Sequence, residues 1–407
     1  TFPSVARIEN NLVGWGLDML QAPEGAVGLV TSGGTESCIL AALAARERWQ
    51  RTNDHGTPTL VVADTVHPAF HKAAHLLGMK VRTVPVDRSS VRLTADAVRA
   101  ALREVGDEAA LAVASAPSYA HGVIDEVEGI AAAAAAHGVP CHVDSCIGGV
   151  TLAYARRNGE DLPLTDFAAT GASSISLDLH KYGFAPKGAS LLLFRDPDYR
   201  AGTFFAFSSW PGYPIVNTTL QSTKSAGPMA AAWAAAQVLG EQGFRDAVRR
   251  AREATLRIAA VIDDIPGVRL VGSPDTTLIA IAGDGESPVD PFRLADCMRA
   301  RGWVMQPQPS MGDLPRTVHL TVQPVSLDSL DAFAVDLRAA AEEARAMPWA
   351  DASADLAAAF AAIPDLTSGD PLPPDMADVH ALIDALPPEV RDQALAAIFS
   401  ALFTARR

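Results

Sequence analysis

At 407 residues the chain can bury a sizeable core, and it is long enough for two domains or one large domain with appendages. A net charge of −14 argues against nucleic-acid binding, which needs a positive face to meet phosphates. It leaves room for an anionic small molecule, because a few local Lys or His residues outweigh the total charge within a cleft. The apolar stretches are strand-length or interrupted by charges, so neither a membrane span nor a secretory leader is expected. The sequence opens on Thr1 rather than Met, and what is present reads as soluble and cytoplasmic. Cys38, Cys141, Cys146 and Cys297 sit in apolar surroundings with no C-x-x-C spacing. They read as buried thiols, neither a zinc site nor a disulfide framework.

From Gly28 to Phe194 short apolar runs alternate with helical patterns. Strands are expected at Gly28–Thr31, Thr59–Ala63, Val81–Val86, Leu111–Ser115, Cys141–Asp144, Ser174–Leu177 and Ser190–Phe194, with helices at Glu36–Gln50, Ala69–Leu77, Thr94–Glu104 and Val127–His137. Strand and helix in repetition imply an α/β fold with a largely parallel seven-stranded sheet covered on both faces. Ligands in such folds lie beyond the carboxyl ends of the strands. An Ala-rich helix, Gly227–Gly240, leaves this layer. A smaller α+β pattern follows: helix from Phe244 to Asp264, strand Thr277–Ala282, helix Pro291–Arg301, strand Val318–Val322, helix Leu327–Met347. Pro348–Met376 reads as a linker with one short helix, and the amphipathic pair Ala377–Leu386 and Glu389–Phe403 closes the chain. The expected domains are therefore 1–243 (large), 244–349 (small) and 350–407 (helical extension).

Four features at or just beyond strand ends carry chemistry. Thr31-Ser32-Gly33-Gly34-Thr35-Glu36-Ser37 follows a strand and opens a helix, where backbone N–H groups and the helix dipole favour an anion such as a phosphate. Asp144 ends the run His142-Val143-Asp144. Lys181 directly follows a strand and has apolar neighbours on both sides; burial makes such an amine nucleophilic. His67 heads a helix after the second strand. Each feature alone also fits plain capping or a snorkelling lysine. Together they meet the demands of a pyridoxal 5′-phosphate (PLP) site: an amine for the imine, a carboxylate for the pyridine nitrogen, a flat partner for the ring and donors for the phosphate.

The stretches Ser32–Ser37, His67–Ala73, His142–Gly149 and Ser174–Gly188 resemble the group II PLP-dependent decarboxylases, and within them the sphingosine phosphate lyase branch. Thr1–Ser4, Ala116–Asp125 and Trp210–Gly212 match that branch as well, so the resemblance runs over essentially the whole chain. It implies a fold type I (aspartate aminotransferase-like) large domain with a small α+β domain, working as a homodimer with shared active sites. It further implies that Lys181 is the Schiff-base lysine, Asp144 the pyridinium partner and His67 the ring-stacking residue. Gly33, Gly34, Thr35 and His180 would bind the cofactor, and Tyr119 and Lys187 fall near the substrate. The reaction implied is retro-aldol cleavage of a phosphorylated amino alcohol. The alternatives are amino-acid α-decarboxylation, which uses the same cofactor residues, and, more remotely, a non-catalytic PLP-fold protein. After Trp210–Gly212 the chain departs from the branch: Ile215, Thr218 and Lys224 stand where the lyases carry tyrosine, proline and arginine. The substrate is thus expected to be a small, anionic amine.

Overall fold

A computed structural model describes residues 2–352 and 375–403. They divide into two compact units, Thr1–Arg252 with Gly272–Thr277 and Glu253–Val271 with Leu278–Arg407.

In the first unit, helix α1 (Pro3–Met19) starts with Pro3 at its first helical position, where the missing N–H leaves no hydrogen bond unmade. Then follow β1 (Val27–Thr31), α2 (Gly34–Gln50), β2 (Thr59–Ala63), α3 (Ala69–Leu77), β3 (Lys80–Val84), α4 (Ala95–Val105) and β4 (Ala109–Ser115). After these come α5 (Val127–Ala136), β5 (Cys141–Asp144), α6 (Gly148–Arg157), β6 (Ala172–Leu177), β7 (Ser190–Phe194) and a short α7 (Pro197–Ala201). The seven strands form one sheet in the order β1-β7-β6-β5-β4-β2-β3. Every pairing is parallel except those of β7, which is antiparallel to both β1 and β6. Strands β2, β4 and β7 are buried along their whole length, as expected where helices cover both faces. The carboxyl ends of β1, β2, β4, β5 and β6 consequently meet at one edge of the sheet.

Three helices lie where none was expected: α1, the short α7, and α6, which begins at Gly148-Gly149. Gly148 is required there because a Cβ would overlap the carbonyl oxygen of Ala116. Beyond the sheet, β8 (Phe205–Phe207) and β9 (Ile215–Asn217) form an antiparallel hairpin carrying exposed Phe205, Tyr213 and Val216. Helix α8 (Ala226–Asp263) follows and is broken at Gly240, whose φ of 57° is open to glycine. That break is where the sequence separates two helical runs.

The second unit holds a four-stranded antiparallel sheet ordered β10-β11-β13-β12, from β10 (Val268–Leu270), β11 (Leu278–Gly283), β12 (Gln306–Gln308) and β13 (Thr317–Thr321). Helices α9 (Pro291–Ala300) and α10 (Leu330–Arg345) bury Leu294, Met298, Phe333 and Leu337 against Ile279, Ile281 and Val318. Asp296, buried, accepts the N–H groups of Met376 (2.8 Å) and Ala377 (2.7 Å), which fixes the start of α11 (Ala377–Ala385). Helix α12 (Pro388–Leu402) follows. The short helix expected within Pro348–Met376 falls largely outside the described residues. Among the described residues no helix is long and apolar enough to cross a membrane.

Candidate active site

Chain segments from four strand ends enclose a cavity of about 360 Å³ lined by Ser32, Gly33, Gly34, Thr35, Glu36, Cys38, His67, Asp144, Cys146, Asp178, His180 and Lys181. Seven residues singled out in the sequence are thereby brought together: Gly33, Gly34, Thr35, His67, Asp144, His180 and Lys181. Tyr119 and Lys187 are not in the lining. Tyr119 is half-buried in the loop after β4, and Lys187 is exposed in the loop before β7.

The turn from β1 into α2 is tied down from below. Thr31 Oγ1 and Ser37 Oγ lie 2.7 Å apart, and the buried Glu36 carboxylate accepts the N–H groups of Ser32 (2.6 Å) and Leu220 (3.1 Å). As at any helix start, the first N–H groups of α2 have no intrahelical partners, an arrangement that suits an anion. Gly34 has no alternative, since a Cβ would stand 2.8 Å from Cys146 Sγ and 2.9 Å from both Asp178 carboxylate oxygens.

His67 follows β2, exposed, and its Nδ1 accepts the Ala69 N–H at 3.2 Å. Asp144 closes β5. Its Oδ1 accepts the Cys146 N–H (3.2 Å) and Ser176 Oγ (3.4 Å). Burial pushes this carboxyl up, but His67, the Cys146 thiol, His142 and Lys181 together hold it below the usual range. It is therefore ionised at neutral pH. His142 stands behind it, its Nδ1 2.8 Å from Ser174 Oγ and its Nε2 3.2 Å from Ser176 Oγ; burial lowers its pKa to about 4.

Lys181 follows β6 by one short turn. Its Nζ lies 2.8 Å from Asp178 Oδ2, and Asp178 is also bonded by Ser190 Oγ. Burial lowers the lysine's pKa, but Asp178, Cys146 and Asp144 outweigh it and raise the group above its ordinary value. The cofactor-free amine is thus a paired ammonium. His180 is lowered first by burial and then by Lys187 and Lys181, so its ring is neutral. Its Nδ1 is buried and without a partner among the described residues.

Asp178 is one residue that sequence reasoning missed although a signal existed, its position three residues before Lys181 at a strand end. Glu36, Cys38, Cys146 and Ser176 were missed for want of one. The donor set fits PLP. A helix start and the orphaned His180 Nδ1 suit its phosphate, an ionised carboxylate suits its ring nitrogen, a flat imidazole suits its face, and a primary amine suits its aldehyde.

Such a set on the carboxyl edge of this sheet defines a PLP enzyme of fold type I. A pyridoxal-dependent decarboxylase conserved domain matches residues 1–281, and a C-terminal putative HTH domain of pyridoxal-dependent enzymes matches residues 335–401. The chain belongs to the pyridoxal-dependent decarboxylase family. It is similar to a sphingosine-1-phosphate lyase structure from Burkholderia pseudomallei, at 33% identity and a TM-score of 0.80, covering 91% of this chain and 82% of that one. The sphingosine-1-phosphate lyase of Arabidopsis thaliana is 34% identical over 85% of this chain, which spans only 63% of that relative's length. A probable L-tyrosine/L-aspartate decarboxylase of Methanopyrus kandleri is 33% identical over 69% of this chain and 73% of its own.

Proposed function

We propose that the chain is a PLP-dependent carbon–carbon lyase that cleaves a small phosphorylated amino alcohol into an aldehyde and an aminoalkyl phosphate. The observation that carries this reading is the meeting of Lys181, Asp144, His67 and the Gly33-Gly34 turn in one pocket, together with the likeness to sphingosine-1-phosphate lyases. When bound, PLP supplies an electron sink for the bond broken beside the substrate amine.

The chain's own residues do the rest. Asp144, ionised, holds a proton on the ring nitrogen. His67 covers the ring. The start of α2, Thr35 and His180 hold the phosphate, and Asp178 positions the Lys181 amine. Tyr119 and Lys187 are assigned to the substrate, for phosphate binding or for taking the hydroxyl proton as the C2–C3 bond opens. Two observations bear on the substrate's size: Ile215 adds no polar group to β9, and the Lys224 ammonium is already paired with Glu9 of the same chain. The likeness to the Methanopyrus decarboxylase supports α-decarboxylation as the second reading.

The exposed aromatics of the β8–β9 hairpin support a homodimer, and four free thiols fit the cytoplasm. The test is to add PLP, reduce with borohydride and map the labelled lysine, then screen phosphorylated amino alcohols and amino acids for aldehyde or carbon dioxide. Label on Lys181 and aldehyde release are expected; carbon dioxide selects the second reading, and label on another lysine overturns the site.

A further inference from the structure

Cys38 on α2 and Cys146, between β5 and α6, are far apart in the chain but share the pocket. Their Sγ atoms and an Asp144 carboxylate oxygen all lie within 4.8 Å of one another. The sequence read these cysteines as inert thiols because ligand spacing along the chain shows nothing; the fold makes them one cluster. Two sulfurs and a carboxylate form a ligand set for a borderline-soft divalent cation. Around tetrahedral zinc, with bonds of about 2.0–2.3 Å, neighbouring ligand atoms sit roughly 3.5–3.8 Å apart, so shifts of about 1 Å close the set. Cadmium, a larger ion of the same preferences, needs smaller shifts.

The surroundings suit a cation. Asp144, Asp178 and Glu36 line the pocket against a single ammonium, Lys181, which Asp178 holds at 2.8 Å. Ser176 Oγ accepts from Cys146 Sγ at 3.3 Å and donates to Asp144 Oδ1 at 3.4 Å, orienting two of the three ligands from behind. Access runs past exposed Ser32, Thr35 and His67.

We propose that the cofactor-free pocket binds a single thiophilic divalent cation, of the zinc and cadmium class, on Cys38, Cys146 and Asp144, and that cation and cofactor exclude one another because both engage Asp144. Two metal–sulfur bonds form as two thiol protons leave to solvent. The exclusion rests on the reading given under Proposed function; the cation site does not.

The test is a cadmium chloride titration of the full chain stripped of cofactor, followed by thiolate-to-cadmium charge-transfer absorbance. A single equivalent is expected. Cys38→Ala and Cys146→Ala each remove most of the band, Cys141→Ala and Cys297→Ala leave it, and circular dichroism confirms that each variant folds. Asp144→Asn, which keeps both thiols, retains the band and weakens binding about tenfold or more. Absence of the band, or a band that follows Cys141 or Cys297, overturns the site. PLP is then added with and without bound cadmium, with yellow absorbance and borohydride labelling as readouts. Capture slowed about tenfold or more by cadmium and restored by a chelator supports the exclusion; equal rates overturn it. If PLP is captured in neither case, the functional reading falls, and the cadmium titration alone judges the cation site.

Discussion

Replacing Asp178 by Asn keeps the outline of the side chain and removes the charge 2.8 Å from Lys181 Nζ. Asp178 is buried and the Lys181 side chain is 29% exposed, so water screens this pair only in part. A hydrogen bond to a charged group contributes about 1.5–3 kcal/mol. Burial already lowers the lysine's pKa, and Asp178 is the first of the groups that reverse it. Without that charge, the unprotonated fraction of the amine at neutral pH grows by about ten- to a hundredfold. Capture of an aldehyde consumes that form, so PLP attachment at pH 7 accelerates by the same factor and its pH profile moves to lower pH. Stability moves the other way. A lysine whose pKa is raised on folding contributes stability fully present below its unfolded value of about 10.4, lost as pH climbs through the folded one. The cofactor-free variant is therefore less stable than the parent by about 1.5–3 kcal/mol at neutral pH, and the gap closes in strongly alkaline solution. Stopped-flow absorbance across the neutral-to-alkaline range measures the first effect and urea unfolding the second. An unshifted capture profile, or slower capture at pH 7, refutes the reasoning.

Asp144→Asn is expected to keep the fold and the phosphate contacts yet lower turnover by about a hundredfold or more, since the ring nitrogen would no longer stay protonated; near-parental turnover in steady-state assays sinks that role. Gly34→Ala places a methyl 2.8 Å from Cys146 Sγ and 2.9 Å from the Asp178 oxygens. Overpacking of that kind costs about 1–3 kcal/mol, and cofactor retained after dialysis should drop accordingly; unchanged retention argues against the turn as the phosphate site. Long-chain sphingoid phosphates should be poorer substrates than short phosphorylated amines by about ten- to a hundredfold in kcat/KM, the equivalent of one missing hydrogen bond to a charged group. A clear preference for the long chain shows that the Ile215, Thr218 and Lys224 changes are neutral.

The large sheet was legible chiefly because inner strands such as β2, β4 and β7 are buried on both faces, which writes them as nearly uninterrupted apolar runs. Thr59–Ala63, Cys141–Asp144 and Ser190–Phe194 form as expected, and the other four strands differ only at their ends. The Gly240 break in α8 was legible too, since no other residue so readily takes that backbone angle. Helix α6 was hidden because Gly148 and Gly149 are demanded by contacts with Ala116, just past β4, and Leu177 of β6, which a local pattern cannot register.

The sequence by itself determined the kind of chemistry: a lysine, a carboxylate and a glycine turn, each just beyond a strand, specify the functional groups through residue type and strand end alone. Only the tertiary structure decided how those groups are tuned. Asp178 sets the charge on Lys181, His142 and Ser176 stand behind Asp144, and Cys38 meets Cys146. Such pairings depend on the order β1-β7-β6-β5-β4-β2-β3, which sets distant segments side by side. Electrostatic and ligand interactions act over a few ångströms of space, and separation along the chain carries no record of them.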